Sequence, residues 1–196
     1  MLKIWLIRHG MTEGNLKKRY IGVTDEPLCP QGKAFLQTLV YPEPEMVFAS
    51  PLRRCVETAE ILFPDFEADI IKELSECDFG EFENRNYLEL ADNPRYQEWV
   101  DSNGTLPFPG GESREQCRDR NLGGFHRVLT KCLETGIHEA ALVVHGGTIM
   151  NVLEAYGEPA RSFYEWHVGN GRGYLVETEP ADWKDSTGRL KVLKTL

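Results

Sequence analysis

The chain has 196 residues, of which 41% are hydrophobic and 27% are charged, and its formal net charge is −9. This length suits one well-buried domain, and we predict a single domain over residues 1–196. The negative charge argues against a nucleic-acid binder or a membrane-surface protein. Apolar runs such as Ala140–Val144 are too short to span a bilayer.

The first part of the chain alternates between strand and helix patterns. Leu2–Ile7 is a continuous apolar run closed by polar residues and glycine, which predicts a buried parallel strand. A turn-rich loop is followed by a predicted helix over Lys33–Leu39, and Met46–Ser50 is a second short apolar strand. Ser50 suits the N-cap of the next helix and Pro51 suits its first position.

The middle of the chain is less regular. A short strand is predicted near Ala68–Ile71, and the segment "LSECDFGEFENRNY" after it is polar and aromatic with little periodicity. Asp92–Gly111 reads as a short helix plus an irregular excursion, because it holds several prolines and glycines. A long helical pattern then runs from Ser113 to about Leu133.

The last part returns to strands and helices. "AALVVHGG" is a buried strand that ends in His-Gly, and "TIMNVLEAYG" is a helix with Gly157 at its C′ position. "RGYLVET" and "RLKVLKT" form a predicted pair of strands. Strands that alternate with helices indicate an α/β fold with a mostly parallel sheet.

Two of the predicted strands end in the same way. His9 and His145 each follow a buried apolar strand and precede a glycine. Ligands of open parallel sheets bind beyond the carboxyl ends of the strands, so the two imidazoles are expected to face one pocket. The strand that ends at Ser50 leads into a helix whose first turn carries Arg53 and Arg54. A helix N-terminus attracts anions, so this acidic chain gathers cations in a predicted phosphate pocket.

Phosphoryl transfer could be performed by these residue types. Arginines neutralise the equatorial oxygens, and a neutral imidazole can act as the nucleophile because nearby guanidinium groups lower its pKa. A carboxyl group can protonate the leaving oxygen. The segment "LSECDFGEFE" offers Glu76, Asp78, Glu81 and Glu83 for that role.

Other phosphatase chemistries lack their motifs. No cysteine is followed six positions later by arginine, and no GxxxxGK[ST] loop occurs. HxH, HExxH and a strand-end Asp-x-Asp are also absent, which gives a metal-dependent hydrolase little support. The remaining candidate is a histidine nucleophile that uses no metal and no cofactor.

The cysteines and the amino terminus favour a cytoplasmic location. The five cysteines are odd in number and form no CxxC pair, which is typical of reduced thiols. Residues 1–7 hold a short apolar run without a small-residue cleavage site, so we predict no signal peptide.

Six motifs in order resemble the histidine phosphatase superfamily, which has the phosphoglycerate mutase-like fold. They are "RHGMTEGN" at 8–15, "YIGVTDEPLCPQG" at 20–32, "SPLRRCVETA" at 50–59, "LSECDFGEFE" at 74–83, "PGGES" at 109–113 and "VVHGGTI" at 143–149. The resemblance covers most of the chain and implies one three-layer α/β/α domain around a mostly parallel sheet.

The resemblance also implies roles for the motif residues. His9 would be the nucleophile that becomes phosphohistidine, and Arg8, Arg54 and His145 would hold the phosphoryl oxygens. Glu76 would protonate the leaving alkoxide and then deprotonate the attacking water.

Further phosphoryl contacts are implied for Asn15, Gly146 and the Ile21–Gly22 backbone, whereas Arg53 is expected on the solvent side. The remaining histidines have no comparable context and are expected to be structural or at the surface: His126, His138 and His167. Cys29 stands where the family usually has Thr or Ser, which loosens any inference about the substrate.

The resemblance leaves the substrate open. Mutases of the superfamily are typically longer, so this compact chain is more similar to the phosphatases, among them the α-ribazole phosphatases. Phosphoglycerate mutases and broad-specificity sugar-phosphate phosphatases remain alternatives, as do a non-catalytic phospholigand binder and a metal-assisted hydrolase. The expected partner is a small phosphomonoester, and the oligomeric state is not predicted. Aromatic residues between 82 and 108 could belong to the core or to the pocket wall.

Overall fold

A computed structural model describes residues 1–179, 182–183 and 188–196, and a seven-stranded sheet lies at its centre. The strands are β1 (Leu2–Arg8), β2 (Met46–Ala49), β3 (Asp69–Ile70), β4 (Glu139–Val144), β5 (Gly157–Glu158), β6 (Gly173–Thr178) and β7 (Leu190–Thr195). The α-helices are α1 (Glu13–Leu16), α2 (Pro30–Leu36), α3 (Arg53–Leu62), α4 (Pro94–Asp101), α5 (Arg114–Thr135) and α6 (Gly146–Tyr156). Short 3₁₀ segments lie at Lys72–Leu74, Gly80–Phe82 and Phe163–Trp166.

The strand order in the sheet is β3-β2-β4-β1-β6-β7-β5. The pairs β3–β2, β2–β4, β4–β1 and β5–β7 are parallel, whereas β6 is antiparallel to both β1 and β7. The prediction of an α/β fold with a mostly parallel sheet is therefore confirmed. The carboxyl ends of β1, β2, β3 and β4 all lie at one edge, because these strands run in the same direction.

Alternating residues of β1 pack into two separate layers. Leu2, Ile4 and Leu6 join the larger core cluster, which includes buried residues of α5 and α6. Trp5 and Ile7 point to the opposite face and pack in a second cluster with Cys55 and Ala59 of α3. Helices thus cover both faces of the sheet, which explains why the buried positions of β1 and β4 are apolar on both faces.

Two predicted helix starts are wrong. The helix predicted over Lys33–Leu39 spans Pro30–Leu36, because the Cys29 thiol accepts a hydrogen bond from Gly32 N at the N-cap and Pro30 takes the first turn. Ser50 is not the N-cap of α3, which begins at Arg53 after Leu52. Its hydroxyl is used elsewhere in the site.

The end of α6 also differs from the prediction. Gly157 was expected to take the left-handed conformation of a C′ glycine, but its φ is −68° and its ψ is 140°. The chain passes directly into β5, a two-residue strand that the sequence pattern is too short to reveal. The predicted final pair of strands is confirmed by β6 and β7.

The Gly123–Gly124 pair in α5 has different surroundings at each position. A Cβ atom at Gly124 would lie 2.9 Å from Leu74 Cδ2 and 3.0 Å from Glu73 Cβ, whereas one at Gly123 would meet nothing within 4 Å. Gly124 therefore lets α5 approach the segment that precedes Glu76. Among the described helices, α5 included, none has both the length and the apolar character needed to cross a membrane.

Candidate active site

The parallel register of β1 and β4 brings His9 and His145 together. Arg8 is paired with Val144 at the end of the ladder, and His9 N donates a hydrogen bond to Val144 O at 2.9 Å. Each histidine follows the last residue of its strand, so the two rings meet at the carboxyl edge, with centroids 5.3 Å apart. The prediction that the two strand-end imidazoles meet is therefore confirmed.

His9 is buried and its ring is held in one orientation. Its Nδ1 lies 2.6 Å from Gly10 O, and a carbonyl can only accept, so Nδ1 carries the proton. Burial, and then the charges of Arg54 and Arg8, hold the pKa of His9 well below its usual range. The ring is therefore neutral near pH 7, and its Nε2 has a free lone pair.

His145 is fixed from the neighbouring strand. Its Nε2 lies 2.7 Å from the hydroxyl of Ser50, which follows β2. The Ser50 hydroxyl, which the sequence pattern assigned to the N-cap of α3, therefore contacts His145 instead. Burial, followed by the charge of Arg54, lowers the pKa of His145 well below its usual value. Both imidazoles at the site are thus neutral hydrogen-bonding groups.

Arg54 is completely buried and has no carboxylate partner in the described chain. Its Nη1 donates to Thr24 O at 2.8 Å, and its Nη2 donates to Ile21 O at 3.2 Å and Gly22 O at 2.9 Å. Its Nε is buried and lacks a hydrogen-bond partner among the described residues. A buried cation that is held only by carbonyls retains its attraction for an anion.

The backbone of Ile21 and Gly22 contacts Arg54 and Glu83, which corrects the predicted phosphoryl contact of the Gly22 N–H. Both carbonyls accept from Arg54, and Gly22 N donates to the Glu83 carboxylate at 3.0 Å. These backbone groups are engaged within the protein, and the two residues position Arg54 instead. Arg53 is exposed and pairs with Glu57 at 2.7 Å, in agreement with its expected solvent-side position.

Arg8 lies at the end of β1 and reaches toward the start of α6. Its Nη1 donates to Val168 O at 2.7 Å, and its Nε is another buried donor without a partner in the described part of the chain. A Cβ atom at Gly146 would lie 3.3 Å from Arg8 Nε, so glycine lets the helix N-terminus pack against the guanidinium.

His167 is exposed, as predicted, but it also lies beside the site. It lines the same cavity as Arg8, and its Nε2 lies 3.5 Å from Arg8 Nη1. No local motif marks it, because it reaches Arg8 from a segment that is 159 positions away. The prediction holds for His138, which is exposed, and for His126, which binds the hydroxyl of Tyr156 at 2.9 Å.

Asn15 lies beside the His9 loop together with a second asparagine. Asn15 Oδ1 accepts from Thr12 N at 3.2 Å and from Asn170 Nδ2 at 3.0 Å, so its own Nδ2 faces away from these donors. Asn170 Nδ2 also donates to His9 O at 3.1 Å. No recognisable motif surrounds Asn170, so the sequence did not predict its place in the site.

Glu76 is the carboxylate that lines the cavity with Arg8. Its Oε1 accepts from Cys77 N at 2.9 Å, and its Oε2 accepts from Gly147 N at 3.3 Å in the first turn of α6. A Cβ atom at Gly147 would clash with Glu76 Oε1. The second glycine of the His-Gly-Gly sequence therefore makes room for this carboxylate.

The three neighbouring carboxylates are used in other ways. Asp78 Oδ1 accepts from Gly80 N at 2.9 Å, and Glu81 pairs with Arg95 at the surface. Glu83 accepts from the hydroxyl of Thr24 at 2.7 Å and from backbone amides of the same loop. Of these four carboxylates, only Glu76 lines the cavity, whereas the residue types by themselves left four candidates.

Arg120 of α5 holds the backbone around Glu76. Its Nη1 donates to Ser75 O at 2.8 Å and its Nη2 donates to Glu76 O at 3.1 Å. It also makes a two-point ion pair with Glu112, at 2.8 Å from Nε and 2.6 Å from Nη2. Planar bidentate pairing fixes the guanidinium, and the guanidinium fixes the position of Glu76.

A cavity of about 300 Å³ opens beside Glu76 and Arg8. Its wall includes six aromatic residues, which are Tyr20, Phe79, Trp99, Phe108, Phe163 and Tyr164. Phe79, Trp99 and Phe108 also pack on a small buried cluster that includes Phe82 and Tyr96. The aromatic excursion therefore has its own core and presents one side of it to the cavity.

Known proteins match this sequence over most of its length and share this fold. Residues 4–187 match the family described as Histidine phosphatase superfamily (branch 1). The chain belongs to this superfamily. The resemblance that the ordered motifs indicated is confirmed.

Relatives in the superfamily include both phosphatases and mutases. The chain is 29% identical over 181 residues to the adenosylcobalamin/alpha-ribazole phosphatase of Escherichia coli K12, covering 87% of each chain. It is 30% identical over 193 residues to "Probable phosphoglycerate mutase GpmB" of Salmonella paratyphi B, covering 93% of this chain and 88% of the relative.

A crystal structure of the alpha-ribazole phosphatase from Shigella flexneri has the same fold. Its TM-score is 0.78 at 25% identity, and the match covers 98% of this chain and 96% of that one. Histidine phosphatase superfamily chemistry, as a phosphatase or a mutase, is therefore the coarse function that the comparisons support.

The two buried imidazoles predict a stability that depends on pH. Both folded-state pKa values lie well below the unfolded value of about 6.5, so below that pH the unfolded chain binds protons that the folded chain excludes. Each ring is expected to lower the free energy of unfolding by about 1.4 kcal/mol per pH unit as the pH falls from 6.5 toward 5.

Urea unfolding of wild type and of His145→Gln at several pH values measures this slope. In His145→Gln, the slope of the free energy of unfolding against pH is expected to fall by the contribution of one imidazole. His138→Gln, at an exposed position, serves as the matched control. A wild-type slope retained in full by His145→Gln would contradict the assignment of a buried neutral ring.

Proposed function

We propose that the protein is a phosphomonoesterase that forms a phosphohistidine on His9 and requires no metal ion. The observation that carries this proposal is the 2.6 Å contact of His9 Nδ1 with Gly10 O, which leaves a neutral Nε2 as nucleophile. The buried Nε donors of Arg8 and Arg54, which have no partner among the described residues, supply the charge for a phosphoryl group.

In the first step, the lone pair of His9 Nε2 attacks phosphorus while the bond from phosphorus to the ester oxygen breaks. Glu76 gives its proton to the leaving oxygen, so that the alcohol departs neutral. Arg8, Arg54 and His145 donate hydrogen bonds to the equatorial oxygens, on which the transition-state charge is spread.

In the second step, a water molecule attacks the phosphohistidine. Glu76, now ionised, takes a proton from the water, and the phosphorus–nitrogen bond breaks with its electron pair returning to His9 Nε2. Inorganic phosphate leaves, and Glu76 is again protonated. The same carboxyl group therefore acts as acid and then as base.

Two further groups would contact the transferred phosphate. Asn15 Nδ2 is available because its Oδ1 already accepts from Thr12 and Asn170. The Gly146 N–H at the start of α6 would add a backbone donor and the positive end of the helix dipole.

His9→Ala is expected to abolish turnover and the phosphoenzyme, because no other described imidazole has this arrangement of fixed Nδ1 and neighbouring guanidiniums. Alkaline quench after mixing with ³²P-labelled phenyl phosphate should trap an acid-labile, alkali-stable label on wild type. His126→Ala is the matched control, since His126 lies outside the site.

The alternative functions give different results in the same assay. Phosphate binding without turnover would indicate a phospholigand-binding protein. Loss of wild-type activity in excess chelator would indicate a metal-assisted hydrolase, and either result would contradict the proposal.

Glu76→Gln tests the proton donor. We expect hydrolysis of alkyl phosphates to fall by about 10²–10⁴-fold, since alkoxides are poor leaving groups that need a proton. Hydrolysis of p-nitrophenyl phosphate should fall much less, because nitrophenolate leaves without one. Glu81→Gln, at a surface carboxylate, should change neither rate; equal losses on both esters in Glu76→Gln would remove Glu76 from the acid role.

Within the phosphatases we propose α-ribazole 5′-phosphate as the substrate. The aromatic cavity beside Glu76 suits a flat, apolar leaving group. The cationic side chains that line it are Arg8 and Arg114, and Arg114 is paired with Glu154 at 2.9 Å. A second phosphate or a carboxylate on the substrate would meet little positive charge there, which favours a monophosphate over the phosphoglycerates.

Trp99→Leu is expected to lower kcat/KM for α-ribazole 5′-phosphate about tenfold, because stacking on the indole is lost. Hydrolysis of glycerol 3-phosphate, which has no ring, should change little, and Trp183→Leu outside the cavity is the matched control.

Isomerisation of 3-phosphoglycerate at a higher kcat/KM than any hydrolysis would instead identify a mutase. Equal turnover of many sugar phosphates would identify a broad-specificity phosphatase.

The free state of all five cysteines supports the proposed cytoplasmic location, where thiols stay reduced.

A further inference from the structure

Two thiols and a carboxylate meet beside the cavity. One Sγ each from Cys77 and Cys117 and a carboxylate oxygen of Glu112 all lie within 4.8 Å of one another. No other set of three histidine, cysteine or acidic side chains in the described ranges is grouped in this way. The proposed phosphoryl chemistry uses none of these three groups.

The cluster can be reached from outside. Cys77 and Cys117 are nearly buried, but both contribute to the lining of the 300 Å³ cavity. Glu112 stands two residues before α5 and Cys117 lies in its first turns, whereas Cys77 comes from the separate segment that carries Glu76. An ion that enters the cavity therefore meets ligands from two parts of the fold.

A buried oxygen without a partner lies beside the same thiol. Asn151 is 2% exposed, and its Nδ2 donates to Asn121 Oδ1 at 2.9 Å and lies 3.8 Å from Cys117 Sγ. These contacts fix the amide, and Asn151 Oδ1 has no hydrogen-bond partner in the described part of the chain. Asn151 also lines the cavity. Buried polar atoms of native proteins are normally satisfied, so this oxygen is available to accept from water or to coordinate an ion.

We propose that Cys77, Cys117 and Glu112 bind one thiophilic divalent cation, such as Zn²⁺, with Asn151 Oδ1 or a water molecule in the fourth position. Thiolates around tetrahedral Zn²⁺ are about 3.8 Å apart, so the cluster needs to contract by at most about 1 Å. Side-chain rotation can supply a movement of this size.

The charges of the site balance when the ion is bound. Binding releases one proton from each thiol, so two thiolates and Glu112 carry three negative charges against two on the cation. The Arg120 guanidinium, which pairs with Glu112 at 2.6 Å, supplies the third positive charge. Arg120 can keep this pair, because each carboxylate oxygen has more than one lone pair.

The bound ion would occupy the part of the cavity that Cys77 and Cys117 line, beside Glu76. Zn²⁺ and a leaving group would then compete for the same space, and the ion would act as an inhibitor that raises KM. The metal site does not depend on the phosphohistidine mechanism, because its ligands are different residues and its binding can be observed without substrate.

Titration of the reduced, full-length protein with Co²⁺ tests the site. Wild type is expected to bind one ion per chain, with a thiolate-to-cobalt charge-transfer band in the near ultraviolet and release of two protons. Cys77→Ser and Cys117→Ser should each weaken binding by more than about tenfold and weaken the band. Cys29→Ser is the matched control, because its hydroxyl can take over the N-cap of α2.

Circular dichroism establishes that each variant is folded, and displacement of Co²⁺ by Zn²⁺ in wild type measures the affinity without any substitution. A wild-type protein that gives no charge-transfer band overturns the proposal. So does a band that Cys77→Ser and Cys117→Ser both retain, or one that Cys29→Ser removes. Loss of phosphatase activity in His9→Ala together with an unchanged band would separate the two proposals.

Discussion

Six residue pairs join β1 to β4 in parallel, from Lys3 with Glu139 to Arg8 with Val144. The register of this ladder sets where each strand ends, and therefore where His9 and His145 begin. A shift by one residue would turn one of the rings to the other face of the sheet, since side chains alternate along a strand. Such a shift would also move each buried side chain of β1 and β4 away from its packed neighbours in the two core clusters, which opposes it. The distance between the imidazoles is thus a consequence of core packing.

Positive charge is concentrated at this edge of the sheet, although the chain as a whole is acidic. The net charge is −9, yet Arg54 is fully buried and is held by carbonyls of the segment from Ile21 to Thr24. Carbonyl dipoles orient a guanidinium without neutralising it, whereas a carboxylate would cancel its charge. Burial, followed by this uncancelled charge, lowers the pKa values of His9 and His145, which keeps both rings neutral. One buried cation therefore both attracts an anion and helps to keep the two imidazoles unprotonated.

The carboxylate side of the site is organised from α5. Arg120 and Asn121 both donate to carbonyls of the segment that precedes Glu76, and Gly124 lets the helix come close enough for these contacts. The ion pair of Arg120 with Glu112 brings Cys117 and Cys77 to the same place. The position of Glu76 and the thiol cluster thus have a common structural cause, although the chemistry proposed for them differs.

The sequence determined the features that depend on short stretches of chain. Apolar runs predicted the strands, and a histidine followed by glycine at two strand ends predicted the paired imidazoles, because parallel strands share a carboxyl edge. The order of six motifs identified the superfamily. Only the tertiary structure showed that Glu76, and not Asp78, Glu81 or Glu83, lines the cavity. It also brought His167 and Asn170 to the site and showed that the carbonyls of Ile21 and Gly22 hold Arg54. These facts rest on contacts between residues that are far apart in the chain, and local patterns of polarity and spacing carry no information about which distant side chains will meet.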